Sequence, residues 1–532
     1  MTKSDFLDRL KVNYATGGLS RRDFIRASAA TGIGLAGAFS LASQVQAQTA
    51  VKGGSLTAGV AHGATTDTLD PGLFEAGFMI PLGLAIHGYL TDVDANSVVQ
   101  PSVAENWEAT PDAKTWTFKI RSGITFHDGR TVTPEDVIVS LNHHRGETST
   151  SAAKPLVSAV TEMRAEGGNT IVIELSAGNA DFPAALADYH LAIMPAKDGA
   201  ADWQSGIGCG AYTLENLDPG VSAELRRNPN HWTQDVGHVE EWRLLSLIDT
   251  NARTTALLSG NVDVIDRLDP RTVNLMKRDP SIGVHSVAGN QHYSFPMRTD
   301  MAPYDDNNVR QALKYAIDRE ALVERVLSGF GSVGNDHPIG AGQQFFNADL
   351  EQKTYDPDRA RGILSEAGIS DLKVQLSVSD AAFAGAVDAG VLIREAAAGA
   401  GIDVEVVREP NDGYWSNVWR NKGWCASYWA GRPVEDLMFS LAFKSGVDWN
   451  ESFWSNDRFD ALLVEARAEL NQDKRREMYF EMQDLVANKG GVAIPMFASY
   501  IFATAATVGH PETFGRNLDM DSSKFMERWW RA

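Results

Sequence analysis

Thr115-Trp116-Thr117-Phe118-Lys119-Ile120 sets a large apolar side chain at every second position. Period-two alternation puts Trp116, Phe118 and Ile120 on one face, as a strand with one buried side requires. Working outward, Thr170 to Leu175 repeats the alternation and Lys373 to Val378 resembles it. Helical patterns lie between such runs. Val309 to Val326 spaces Ala312, Leu313, Ala316, Ile317, Leu322 and Val326 along one helical face, with Asn308 placed to cap it and Gly329 beyond its end. Phe459 to Glu469 and Lys474 to Asn488 read as two further helices, with Asp460, Glu465 and Glu469 on their wet face. Asp218-Pro219-Gly220 marks a turn between two strand-like runs. Strands interleaved with helices, and no short repeat, assign the chain to the α/β class.

At 532 residues the chain has material for about three or four domain-sized units. Its 43% hydrophobic and 22% charged composition excludes disordered, collagen-like and disulfide-stapled classes. Forty-eight basic against 69 acidic residues give a formal charge of −21. A nucleic-acid partner needs a basic footprint, so that class is set aside, as is an anionic membrane surface.

The N-terminus reads as an address. Ser20-Arg21-Arg22-Asp23-Phe24-Ile25-Arg26 precedes an Ala- and Gly-rich run to Leu41 and a small-residue exit at Val45-Gln46-Ala47. This is the order of an export signal, and the paired arginines resemble the twin-arginine pattern. Residues 1–47 are therefore expected to be removed, leaving a soluble chain in the periplasm of a bacterium with an outer membrane. Gly32, Gly34 and Gly37 match a dinucleotide fingerprint but lie inside this signal, without a preceding strand.

Chemistry-bearing motifs are absent. There is no Gly-x-Ser-x-Gly, His-Glu-x-x-His, P-loop or Cys-x-x-Cys. His143-His144 is read as a solvated pair, because neighbours on a helix diverge by about 100°. Asp92-x-Asp94-x-Asn96 lacks the Gly and Glu of a calcium loop. No cofactor and no metal is expected. Cys209 and Cys425 stand as either a pair or two buried thiols. What does stand out is aromatic. Tyr414, Trp415, Trp419, Trp424, Tyr428 and Trp429 fall close together, Trp449 and Trp454 follow, and Ser427, Arg432, Asp436 and Asn450 are interleaved. Part of this cluster must be core, and part suits a ligand cleft.

Several motifs together resemble the peptide/opine/nickel family of solute-binding proteins (extracellular solute-binding protein family 5), which serve ABC importers. They begin with Pro101 to Trp107, Trp116 to Gly129 and Thr133-Pro134-Glu135-Asp136-Val137. Gly208-Cys209-Gly210-Ala211-Tyr212, Arg227 to Trp232, Ala256 to Asp263 and Val309 to Leu313 follow in the family's order, and then Ala316 to Arg319, Tyr355 to Ala360 and Ile494-Pro495-Met496. The resemblance implies a two-lobed α/β periplasmic binding protein, of the large three-domain kind, hinged between lobes. Lobe one would comprise 48–89, 176–290 and 505–532, an inserted domain 90–175, and lobe two 291–504. His127 would serve a turn rather than a metal. The implied partners are a small peptide-, opine- or conjugate-like solute and a membrane permease with its ATPases, the receptor itself being monomeric.

Residue-by-residue matching implies ligand contacts at Phe78, beside Gly77, and at Tyr293, Trp415, Trp424, Ser427 and Asn450. In peptide-binding members the run matching Gly423-Trp424-Cys425-Ala426-Ser427 ends in an aspartate that pairs with the peptide amine. Here Ser427 stands in that place, which argues against an ordinary free-amine peptide. Arg432 is either a structural residue or a fork for a solute carboxylate. A folded-exported periplasmic enzyme is the alternative function, with a chemoreceptor partner or chaperone behind it.

Overall fold

The computed structural model describes residues 52–74, 77–411 and 413–532. The export signal read at 1–47 lies outside them.

The largest sheet joins nine strands among the described residues. Ser55–Val60 lies parallel to Glu241–Ser246 on one side and Val264–Ile265 on the other. Helix Thr250–Leu258 makes the crossover between those two, as parallel neighbours require. Tyr212–Asp218 and Ser222–Arg227 form the expected hairpin, closed at Gly220 with φ +75°. Two long antiparallel strands, Ile282–Pro296 and Val492–Ala505, carry the sheet from one half of the molecule to the other. Val287 and Phe502 belong to a core shared with Leu56, Trp242 and Trp529. Further along the same strands, Phe295 and Met496 belong to a different core, with Leu313, Leu376 and Trp424. Between them the ladder lapses. Ala288 pairs with Ser499 and His292 with Phe497, so three residues face one, which is a bulge.

A separate antiparallel sheet orders Ala104–Ala109, Thr115–Ile120, Thr170–Leu175 and Val160–Ala165. Trp116, Phe118 and Ile120 point into its core as the alternation predicts. The motif at Thr133 to Val137 is a helix start. The Asp136 carboxylate accepts from the Thr133 N–H (2.8 Å) and hydroxyl (2.6 Å), and Pro134 opens helix Pro134–His143. His127 clasps two loops: its Nδ1 accepts from the Gly208 N–H (3.3 Å) and its Nε2 lies 3.2 Å from the Gly210 carbonyl. Gly208 itself must be glycine, since a Cβ there would stand 1.8 Å from the Ile86 oxygen.

Two sequence expectations change, and one pair of alternatives is decided. The helix read over Val309–Val326 is two, Asn307–Tyr315 and Arg319–Val326. Asp318 breaks it by accepting from the Ala321 N–H at 3.0 Å, and Asp306, not Asn308, caps the first. His143 and His144 are not solvated. His143 meets Asp70 at 2.7 Å, and fully buried His144 meets Ser151 at 2.7 Å. Cys209 and Cys425 are both free, in different cores, and burial pushes the Cys209 thiol up to about 12.

Candidate functional site

Strand Ser427–Trp429 pairs with Ile282–Pro296, one of the two long strands that cross between the halves (the crossover strands), setting Ser294 opposite Ser427 and His292 opposite Trp429. Pleating buries Ser427 and Trp429 and leaves Tyr428 half-exposed. The short helix Tyr414–Asn417 brings in Trp415 and, just after it, Trp419. The loop before helix Asp457–Ala468 supplies Trp449 and Glu451. These pieces, with Ala430 and Arg432, line a cavity of about 380 Å³. Trp415 meets Trp419 and Tyr428 nearly edge-on, at 5.9 and 5.8 Å between ring centroids, and Trp429 meets Trp449 at 5.8 Å. Trp415, Tyr428 and Trp449 remain 40%, 43% and 50% exposed. So much solvent-facing aromatic surface in one place makes this the candidate binding surface.

Glu451 lies at the base, 3% exposed. Its Oε1 accepts from Ser294 Oγ (3.0 Å) and Trp429 Nε1 (3.1 Å). Its Oε2 accepts from Ser427 Oγ (2.7 Å) and Trp419 Nε1 (2.7 Å). Burial pushes its carboxyl above the ordinary glutamate range, against the pull of these four donors. The Arg432 guanidinium bonds the carbonyls of Ala430 (3.3 Å) and Gly431 (3.1 Å). On the other side of the crossover, exposed Arg267 sits at φ +45°. Arg267 and Arg432 both bear electrostatically on Tyr500 of the crossover. Buried His292, beside Arg432, is held neutral, its pKa pushed down to about 4 chiefly by burial.

Of the seven residues singled out from sequence, the cavity brings together Trp415, Ser427 and Arg432. The others stand off it. Phe78 is fully buried in the core built on Leu56 and Trp242. Trp424 is 1% exposed, packed toward Tyr304 in the core of the other half. Tyr293 stacks on Phe383, 4.0 Å away and nearly parallel. Asn450 is buried and ties its own loop, with Nδ2 donating to the carbonyls of Phe443, Lys444 and Trp454. It thereby positions Glu451. Glu451 itself escaped the sequence reading, since nothing in its spacing from Ser427 announces their contact.

A larger cleft, about 570 Å³, opens between Asp300, Asp305, Arg310 and Phe453. Two of its charged groups are held elsewhere: Arg310 donates to the carbonyls of Tyr304, Asp305 and Lys489, and Asp300 pairs with Arg298. Among the described residues no group of three or more His, Cys, Asp or Glu is placed to hold a metal.

Residues 98–451 match the family described as "Bacterial extracellular solute-binding proteins, family 5 Middle". The chain is 26% identical over 432 residues to Heme-binding protein A of Haemophilus influenzae, covering 74% of this chain and 77% of that protein. It is 25% identical over 427 residues to the Dipeptide-binding protein of Escherichia coli, covering 72% and 78%. Among solved structures, the periplasmic binding protein AgaA from A. tumefaciens R10, in complex with agropinic acid, superposes with TM-score 0.73 at 21% identity, over 90% of this chain and 99% of that one. HbpA2 from Haemophilus parasuis superposes with TM-score 0.77 at 20% identity, over 87% and 98%. The fold is that of two-lobed periplasmic binding proteins.

Proposed function

This chain belongs to the bacterial extracellular solute-binding proteins, family 5, and we propose that the cavity edged by Trp415, Tyr428 and Trp449 is where it takes up its solute. The family is one of binding proteins, and a member serves an ABC importer by handing solute to the membrane permease. The solute is peptide-like or opine-like and carries an acidic group that faces Arg432. In this reading the lobe taken as 291–504 holds the cavity. After export under the signal at 1–47, the mature chain works in the periplasm.

The observation that carries this reading is the half-exposed aromatic lining beside the crossover bulge. It offers apolar area worth roughly 25 cal/mol per Å² on burial, at the point where the two halves articulate. Arg432 adds a planar donor suited to carboxylate. Native mass spectrometry on protein taken from its own periplasm, followed by denaturing release, identifies the solute. Arg432→Ala is then expected to weaken an acidic solute by about tenfold or more, and its neutral amide far less. Equal losses for both would remove carboxylate recognition. Recovery of turnover products in place of intact solute would replace capture with catalysis.

A further inference from the structure

We propose that the cavity recognises its solute through a quaternary ammonium group, seated among Trp415, Tyr428 and Trp449 above the Glu451 carboxylate. This rests on the reading of the same cavity as the solute site and names the charge it selects.

Three observations lead there. First, Glu451 is a buried acid with no cationic side chain within ion-pair distance among the described residues. Asp266, Asp336, Asp436 and Asp521 each face an arginine (Arg253, Arg319, Arg467 and Arg528), whereas Asp136, Glu435 and Glu451 rest on hydrogen bonds alone, and of these three only Glu451 lines the aromatic cavity. A buried unpaired charge is costly, so a cation brought by the solute restores the balance. Second, the walls above it are aromatic faces open to solvent, and a ring face attracts a cation, Trp most strongly. Trp419 already holds one this way, with the Arg420 guanidinium 5.7 Å from its ring and outside the cavity lining.

The third observation fixes the kind of cation. A carboxylate offers about four acceptor sites. In Glu451 all four are taken, by two indole N–H groups and two hydroxyls. The two indole donors are fixed by their rings, so an amine could gain acceptors on Glu451 only by turning the Ser294 and Ser427 hydroxyls away from it. A primary ammonium, with three N–H donors, would find at most those two sites and would break two existing bonds to use them. A fully alkylated nitrogen has none to satisfy. It is held by ring faces and by the through-space field of the carboxylate. Ser427, standing where peptide-binding relatives carry an amine-pairing aspartate, is one of the four donors that close this carboxylate to an amine. Arg432 is on the same lining, and its Nη2 has no partner among the described hydrogen bonds, so a carboxylate on the same solute can meet it there.

The test uses the mature chain and three small probes: N,N,N-trimethylglycine, its uncharged-carbon isostere 3,3-dimethylbutanoate, and glycine. Indole fluorescence and calorimetry read binding. Trimethylglycine is expected to bind about tenfold or more tighter than either of the others. Tetramethylammonium alone should compete with it. Trp449→Ala, at a half-exposed ring whose loss spares the core, should weaken trimethylglycine by about tenfold with unchanged circular dichroism. Glu451→Gln should weaken it while leaving 3,3-dimethylbutanoate unaffected. Equal binding of trimethylglycine and the isostere, preference for glycine, or no saturable binding of trimethylglycine and tetramethylammonium overturns the proposal. The failure of the underlying reading looks different. If the solute released from the native protein lacks a quaternary nitrogen yet its binding is lost in Trp449→Ala, the cavity stands and the ammonium falls. If its binding ignores Trp449→Ala, the cavity is not the solute site.

Discussion

Ser427 and Glu451 are best understood together, because their side chains are 2.7 Å apart. An aspartate at 427 would press a second carboxylate against the first. Two like charges at that separation cannot both ionise, and one pKa is driven up. The acid at 451 and the serine at 427 are therefore one arrangement, not two independent choices. Ser427→Asp is expected to destabilise the protein by about 2–3 kcal/mol at about pH 7. The sign with pH follows from linkage. The carboxyl with the raised folded-state pKa binds its proton more tightly folded than unfolded, so the penalty is present above the folded pKa and fades as pH falls through it toward the ordinary value. Melting curves of wild type and Ser427→Asp should therefore converge on going from about pH 7 to about pH 5. A gap that stays constant or widens on acidification would show that the two groups do not share charge. Arg432 lies on the same lining as Glu451, and it and Arg267 both bear electrostatically on Tyr500.

At the scale of elements, what was legible in the sequence follows period and length. Thr115–Ile120 alternates over a full strand on a sheet with one wet face, and its buried positions were readable. Ser427–Trp429 is three residues long, too short for alternation to say which ring turns to solvent. The same limit explains the split among the aromatics. Trp415 and Trp424 look alike in sequence, yet one tops a four-residue helix at the cavity and the other bridges to Met297 inside a core. The helix read through Ala316 was lost because Asp318 turns its carboxylate on the backbone, a local competition that apolar spacing does not register. Glu451 was illegible for a different reason: its four donors come from three separate segments. The crossover pair shows how an element can be specified by one small residue. A Cβ at Gly289 would meet the Tyr500 ring at 2.4 Å, and that ring is pinned by its hydroxyl to the Asn517 carbonyl at 3.0 Å. Gly289→Ala is expected to cost about 1–3 kcal/mol, read as a lower denaturant midpoint with an unchanged slope. A neutral result would mean the bulge accommodates a side chain and is not held by this contact.

The whole molecule turns on where its cores stop. Val287 and Phe502 pack on one side of the crossover bulge, Phe295 and Met496 on the other, and the three residues between are opposed by a single partner. A sheet running unbroken through both halves would resist bending. One whose ladder lapses at a single level bends there, since a bulge already surrenders the hydrogen bonds that bending would break. The cavity adjoins that level through the pairing of Ser427 with Ser294, so a solute seated among the rings as proposed would lie beside the bend. Closure of this kind covers the exposed faces of Trp415, Tyr428 and Trp449 and excludes water from the charges, which strengthens both. The expectation is a ligand-dependent compaction: small-angle scattering should give a smaller radius of gyration with solute than without, the closed form approaching about 23 Å for a compact chain of this length. Gly289→Ala should alter the size of that change without abolishing solute-induced quenching of the cavity tryptophans, because it acts on the bend and not on the binding surface. If compaction and quenching vanish together in that variant, bend and binding surface are one element and the separation argued from the two cores fails. If solute quenches the tryptophans with no compaction even in the wild type, the receptor binds without closing, and the bulge serves only to join the halves.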